Sequence, residues 1–202
     1  MLPASGLGQS STVWDQFITD KLKARFPQVR WISPQASDRP VSFNHGQHRP
    51  SWFDIHELPP RVDEADEQGM AASIKIITDL IQAEIQNGIT PSRIFLMGFS
   101  QGAALSLTTA FTAEQELGGV VVLSGWIPHF MRDRYRQHTF PVLWCHGDTD
   151  PEIPMDYGEE AIRFLTEAFI ESIEYKQYPG LDHTITEGEI VHVESWLQSR
   201  LN

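Results

Sequence analysis

A doubly wound α/β sheet, mostly parallel with helices on both faces, is the fold class this sequence predicts, on three observations. Residues 94–97, 120–123 and 142–145 are short, almost wholly apolar runs, which fit strands covered on both faces. Segments with apolar residues at helical spacing alternate with those runs, as βαβ units require. The chemistry-bearing residues collect just after the apolar runs, where ligands bind in such sheets.

Taken in order, Trp14, Phe17, Ile18, Leu22 and Phe26 recur at helical spacing, and Pro27 stops that helix. Residues 29–33 read as a short strand ended by Pro34. Residues 34–60 carry prolines, histidines and the pair Trp52-Phe53 without any period, so they read as a long loop of the kind that often carries function. Asp63, Glu64, Asp66 and Glu67 suit the positive end of a helix. Met70, Ile74, Ile77, Ile81 and Ile85 give that helix one buried stripe, and Asn87-Gly88 ends it. Beyond lie strand 94–97, helix 103–113, strands 120–123 and 142–145, a helix around 159–169, strand 173–178 and a last helix from about 187 to 201.

The length of 202 residues fits one domain, residues 1–202, with a substantial core. Against 27 acidic residues stand 15 lysines and arginines, a formal charge of -12, which argues against a nucleic-acid partner because phosphate neutralisation needs clustered cations. No apolar run is long enough to span a membrane, which leaves room only for transient contact with a membrane surface. Met1-Leu2-Pro3-Ala4 lacks the features of a signal peptide, and the single cysteine, Cys145, suits a reducing compartment; the expected location is the cytoplasm.

Ser100 lies in Gly98-Phe99-Ser100-Gln101-Gly102, between an apolar strand and a helix rich in small residues. A nucleophile on so sharp a turn sits in strained backbone, and glycines on either side avoid collisions with strand and helix. A serine hydroxyl also needs a base and an orienting carboxylate, which in the α/β-hydrolase fold follow in the order Asp or Glu, then His. After strand 142–145 come two aspartates. Asp148 suits a turn cap, and Asp150, before Ile153-Pro154, is the carboxylate expected to orient the base. His183 follows the last strand and is the expected base. His146 is expected to pack or bond the backbone, His192 to lie on a helix surface, and Cys145 to be core. His45 and His48 lack matching acidic or cysteine partners nearby, so no metal is expected. The chemistry requires no cofactor.

These residues resemble the acyl-protein thioesterase and lysophospholipase-like carboxylesterase family. The likeness is carried by Arg39-Pro40-Val41, Pro50-Ser51-Trp52-Phe53-Asp54-Ile55, Asn87-Gly88-Ile89, Arg93-Ile94, residues 98–107, Cys145-His146-Gly147-Asp148 and Asp150-Pro151, and runs over nearly the whole chain. The resemblance implies an α/β-hydrolase fold, a triad of Ser100, Asp150 and His183, and oxyanion donation by the Gln101 amide. It also implies that Leu7, in Ser5-Gly6-Leu7-Gly8, supplies the second donor amide, and that Trp52, Phe53, Ile55 and Leu58 border an acyl pocket. The implied substrates are acylated proteins, lysophospholipids or small acyl esters. Two departures stand out: Ser5 replaces the family's histidine, and only Met1 to Ala4 precede the turn, where the family has further strands including one beside the nucleophile strand. The fold is therefore expected to lack the family's N-terminal strands, so that either the native amino terminus is longer or the sheet is repacked, with a truncated or degenerate acyl-binding protein as the second reading.

Overall fold

The computed structural model describes residues 1–15, 20–170 and 172–201. Five strands, β1 (Leu2–Ala4), β4 (Phe95–Phe99), β5 (Gly119–Leu123), β6 (Val142–Gly147) and β7 (Ile173–Tyr178), form a wholly parallel sheet in the order β1-β4-β5-β6-β7. The helices are α1 (Ser11–Trp14), α2 (Asp20–Arg25), α3 (Glu67–Gln86), α4 (Gln101–Thr112), α5 (Met155–Ala168) and α6 (Glu187–Leu201). Phe17 and Ile18 of the expected first helix lie outside the described residues.

Side chains alternate across each strand, and the two faces of the sheet therefore bury different helices. Leu96, Val120, Val122, Val142 and Trp144 pack with Met70, Ile77 and Ile81 of α3, with Ala103, Ala104, Leu105, Leu107, Ala110 and Phe111 of α4, and with Ala161 and Leu165 of α5. On the opposite face Phe95, Met97, Phe99, Val121, Leu143 and Cys145 pack with Trp14, Leu22, and Val193, Trp196 and Leu197 of α6. The strands 120–123 and 142–145 are apolar throughout because both of their faces are covered.

Three expectations need correction. The seat beside the nucleophile strand is filled: β1 pairs with β4, Leu2 opposite Leu96 and Ala4 opposite Gly98. Residues 29–33 form no strand. They run beside β1, with the Ile32 amide donating to the Met1 carbonyl at 3.0 Å and the Met1 amino group donating to the Arg30 carbonyl at 3.0 Å, without a continued ladder. Finally, the loop at 34–60 contains an antiparallel ribbon, β2 (Asp38–Val41) with β3 (Gln47–Pro50), Asp38 opposite Pro50 and Val41 opposite Gln47. Its turn passes through His45 and Gly46 at φ of 54° and 76°, conformations that favour short polar residues and glycine.

Candidate active site

The turn from β4 into α4 holds Ser100 at φ 53°, ψ −122°, a strained conformation for a residue with a side chain. Two glycines make it sterically feasible. A Cβ on Gly98 would stand 2.1 Å from the Gly102 carbonyl oxygen, and one on Gly102 would stand 2.2 Å from that of Ala4. The Ser100 amide donates to the Leu123 carbonyl at 2.9 Å, tying the turn to β5.

Beyond β6, the sequence-predicted residues meet. His183 Nε2 lies 2.9 Å from Ser100 Oγ, and His183 Nδ1 lies 2.7 Å from Asp150 Oδ2. The other oxygen of Asp150 accepts the Glu152 amide at 3.0 Å and the Ile153 amide at 2.9 Å. Burial alone would push the Asp150 carboxyl up, but the His183 ring and these amides outweigh it and hold it below the ordinary carboxylate range. The buried carboxylate is therefore ionised at neutral pH. Phe99 braces the array from the side, its ring centroid 4.7 Å from that of His183, and Trp14 stacks behind Phe99 at 6.3 Å. Phe99 was missed in sequence because the second position of the glycine-flanked turn carries no local sign of what it touches.

Neighbouring groups fix the loops that carry the array. Asp148 accepts the Gly180 amide at 2.7 Å, as expected of a turn cap, and the Thr149 amide donates to the Leu181 carbonyl at 3.2 Å. His146 is fully buried and bonds the backbone, Nε2 lying 2.7 Å from the Ile153 carbonyl oxygen. Burial pushes its imidazole down, and the neutral ring donates through Nε2 to that carbonyl. At the start of α6, Glu189 accepts the Thr186 amide at 2.8 Å. Burial raises the Glu189 carboxyl to about 7 despite that bond. His192 lies exposed on α6, 2.6 Å from the Tyr178 hydroxyl, and Cys145 is buried, its thiol pushed up to about 12 by burial.

Residues 5–9 form the facing wall. Ser5 Oγ donates to the Gln9 carbonyl at 3.1 Å, the Gly6 amide donates to Gln9 Oε1 at 3.2 Å, and the Gly8 amide donates to the Pro50 carbonyl at 2.8 Å. Serine at position 5 thus closes the turn through its own hydroxyl. Trp52 Nε1 adds a bond to the Ser5 carbonyl at 2.9 Å. Trp52 is held in turn by Gln101, whose Oε1 accepts the Trp52 amide at 2.9 Å while its Nε2 donates to the Phe53 carbonyl at 2.6 Å. Among the described residues, neither the Leu7 nor the Gln101 amide has a protein acceptor. For Gln101 that follows from its place at the head of α4, where the first amides lack intrahelical partners.

A cleft of about 400 Å³ joins these parts, lined among others by Leu7, Ile55, Leu58, Phe99, Ser100, Glu152 and His183. Of the four residues expected to border the acyl pocket, Ile55 and Leu58 line it. Trp52 does not: it is fully buried and serves the Ser5 turn. Phe53 lines a separate cavity with Trp126, Phe130 and Tyr157, to which Ile55 also contributes.

A parallel sheet with a serine at the strained strand-to-helix turn, followed along the chain by the aspartate and then the histidine, defines an α/β-hydrolase. The chain belongs to the Phospholipase/Carboxylesterase family, whose model matches residues 5–201. It is 39% identical over 215 residues to acyl-protein thioesterase 1 of Cryptococcus neoformans, covering 97% of this chain and 90% of that protein. Carboxylesterase SOBER1 of Arabidopsis thaliana is 35% identical over 204 residues, covering 97% of this chain and 88% of the relative. The crystal structure of SOBER1 superposes with a TM-score of 0.91, covering 100% of this chain and 98% of that one. Acyl-protein thioesterase 2 of Zea mays superposes at 0.80 with 26% identity, covering 100% of this chain and 93% of that one.

Proposed function

We propose that the protein is a serine hydrolase that cleaves carboxylic ester or thioester bonds of acyl substrates through an acyl-enzyme. The observation that carries this reading is His183 standing between Ser100 Oγ at 2.9 Å and Asp150 Oδ2 at 2.7 Å. His183 takes the hydroxyl proton as Ser100 attacks the carbonyl carbon, and ionised Asp150 stabilises the imidazolium that forms. The unpaired amides of Leu7 and Gln101 receive the oxyanion. His183 then returns its proton to the leaving alcohol or thiol and activates the water that releases the acid. Loss of one such oxyanion donor costs on the order of 100- to 1,000-fold in turnover.

Acylated proteins are favoured among the substrates by the relatives named acyl-protein thioesterases, and small acyl esters by those named carboxylesterases. Ile55 and Leu58 in the cleft suit an acyl chain. Among the described residues no helix is long and apolar enough to cross a membrane. We further infer a single hydrolase domain over residues 1–202 and a cytoplasmic location, the latter supported by the free thiol of Cys145. The degenerate acyl-binding reading is not favoured, because the array is complete and the Ser5 turn is held. Labelling with a fluorophosphonate probe tests the assignment: the wild type is expected to label and Ser100→Ala to label only at background. Equal labelling of the two would sink it.

A further inference from the structure

One carboxylate in the cleft has no part in the array. Glu152 follows Asp150 by two residues, lines the cleft with Ser100, and places its Oε2 3.6 Å from His183 Nε2, the nitrogen that faces the nucleophile. Its side chain is half exposed, and among the described residues no lysine or arginine lies within ion-pair distance of it. Arg49 lines the same cleft from β3, but its guanidinium donates to Gln47 at 3.2 Å. A negative charge with no lysine or arginine ion-paired to it therefore stands within a few ångströms of the place where a scissile carbonyl must sit, and the Arg49 cation lies elsewhere on the cleft wall. The formal charge of the whole chain, -12, adds a long-range field of the same sign.

We propose that Glu152 is a specificity-determining residue, selecting esters and thioesters that carry a cationic group within a few bonds of the scissile carbonyl and disfavouring anionic ones. The inference rests on the hydrolase reading above. Even at the dielectric of water, a unit charge about 6 Å from a carboxylate gains or loses about threefold in affinity, so substrates of opposite charge differ by about tenfold. Screening should erase most of that difference near 1 M salt, where the Debye length falls to about 3 Å.

The test uses two thioesters of one acyl group, butyrylthiocholine and the butyryl thioester of 2-mercaptoethanesulfonate. The quantity read is the ratio of their kcat/KM values, which cancels intrinsic reactivity when enzymes are compared. Glu152→Gln keeps the side-chain shape and the backbone bond to Asp150, and is expected to lower the cation-to-anion ratio by about tenfold at low salt and little at 1 M salt. The control is Glu114→Gln, an exposed carboxylate beyond the far end of α4, about 18 Å along the helix from Ser100. It should leave the ratio unchanged. An unchanged ratio in Glu152→Gln, or an equal fall in Glu114→Gln, overturns this inference alone. Absence of hydrolysis of both thioesters, together with absence of Ser100-dependent probe labelling, overturns the hydrolase reading and this inference with it.

Discussion

Leu7 lines the cleft and Gln101 directly follows the nucleophile, and these two proposed oxyanion donors are held by different kinds of structure. Gln101 is bonded to Ser100 and heads a helix in which nearly every residue is buried, so its amide follows the nucleophile wherever the sheet and α4 carry it. Leu7 belongs to a five-residue turn whose place depends on Trp52, Pro50 and Gln9, two of them more than 40 residues away in sequence. One amide is fixed by chain connectivity and packing, the other by side-chain and loop hydrogen bonds. The difference teaches where the site is vulnerable. Substitutions that leave Ser100, Asp150 and His183 untouched can still move the Leu7 wall.

Gly102→Ala should break the relation between the two regions most severely. The added Cβ would stand 2.2 Å from the Ala4 carbonyl oxygen and 2.5 Å from that of Ser5, both backbone atoms, so β1 and the Leu7 turn must move away from α4. We expect kcat/KM to fall at least about 100-fold, as loss of one oxyanion donor does, with destabilisation of about 1–3 kcal/mol by denaturant unfolding. Activity within threefold of wild type would show that the two walls are not coupled there.

Gln101→Ala sharpens the comparison, since it retains the backbone amide and removes only the clamp. The buried Trp52 amide then loses its acceptor, while the Phe53 carbonyl keeps the Ser51 hydroxyl, at a cost of about 1–3 kcal/mol in unfolding free energy. Turnover should fall about tenfold, less than the loss for a missing oxyanion donor. Trp52→Phe is the mildest cut: it keeps an aromatic ring but removes the N–H that reaches Ser5, for about 1–2 kcal/mol and a smaller fall in turnover. A loss in Trp52→Phe as large as in Gly102→Ala would mean that the indole bond alone supports Leu7.

The connectivity-fixed half of the site was legible in the sequence. Gly98 and Gly102 signal close backbone approach, residues 94–97, 120–123 and 142–145 signal a sheet covered on both faces, and Asp150 and His183 follow in the order the fold demands. The other half was legible only in part. The family resemblance places Trp52 at the pocket wall, whereas its indole reaches the Ser5 carbonyl 47 residues back. The β2–β3 ribbon is polar and largely exposed and so lacks the alternation that marks a half-buried strand. β1 is too short for any pattern, and its membership of the sheet is decided by the small residues of α4 that let it approach. Glu152 gave no sign of its proximity to His183, because a charged residue in a turn is ordinarily solvated.

The loop that carries His183 is attached to the turn after β6 at more than one point: Gly180 through Asp148, Leu181 through Thr149, and His183 through Asp150. In mechanical terms, a loop pinned once can swing like a door, whereas one pinned at both ends of a four-residue span can only twist about the line between the pins. The imidazole therefore has no independent swing away from the serine. None of those bonds reaches the opposite wall, where the Leu7 turn is tied to Pro50 and Trp52, so that the two jaws of the cleft are braced independently of each other.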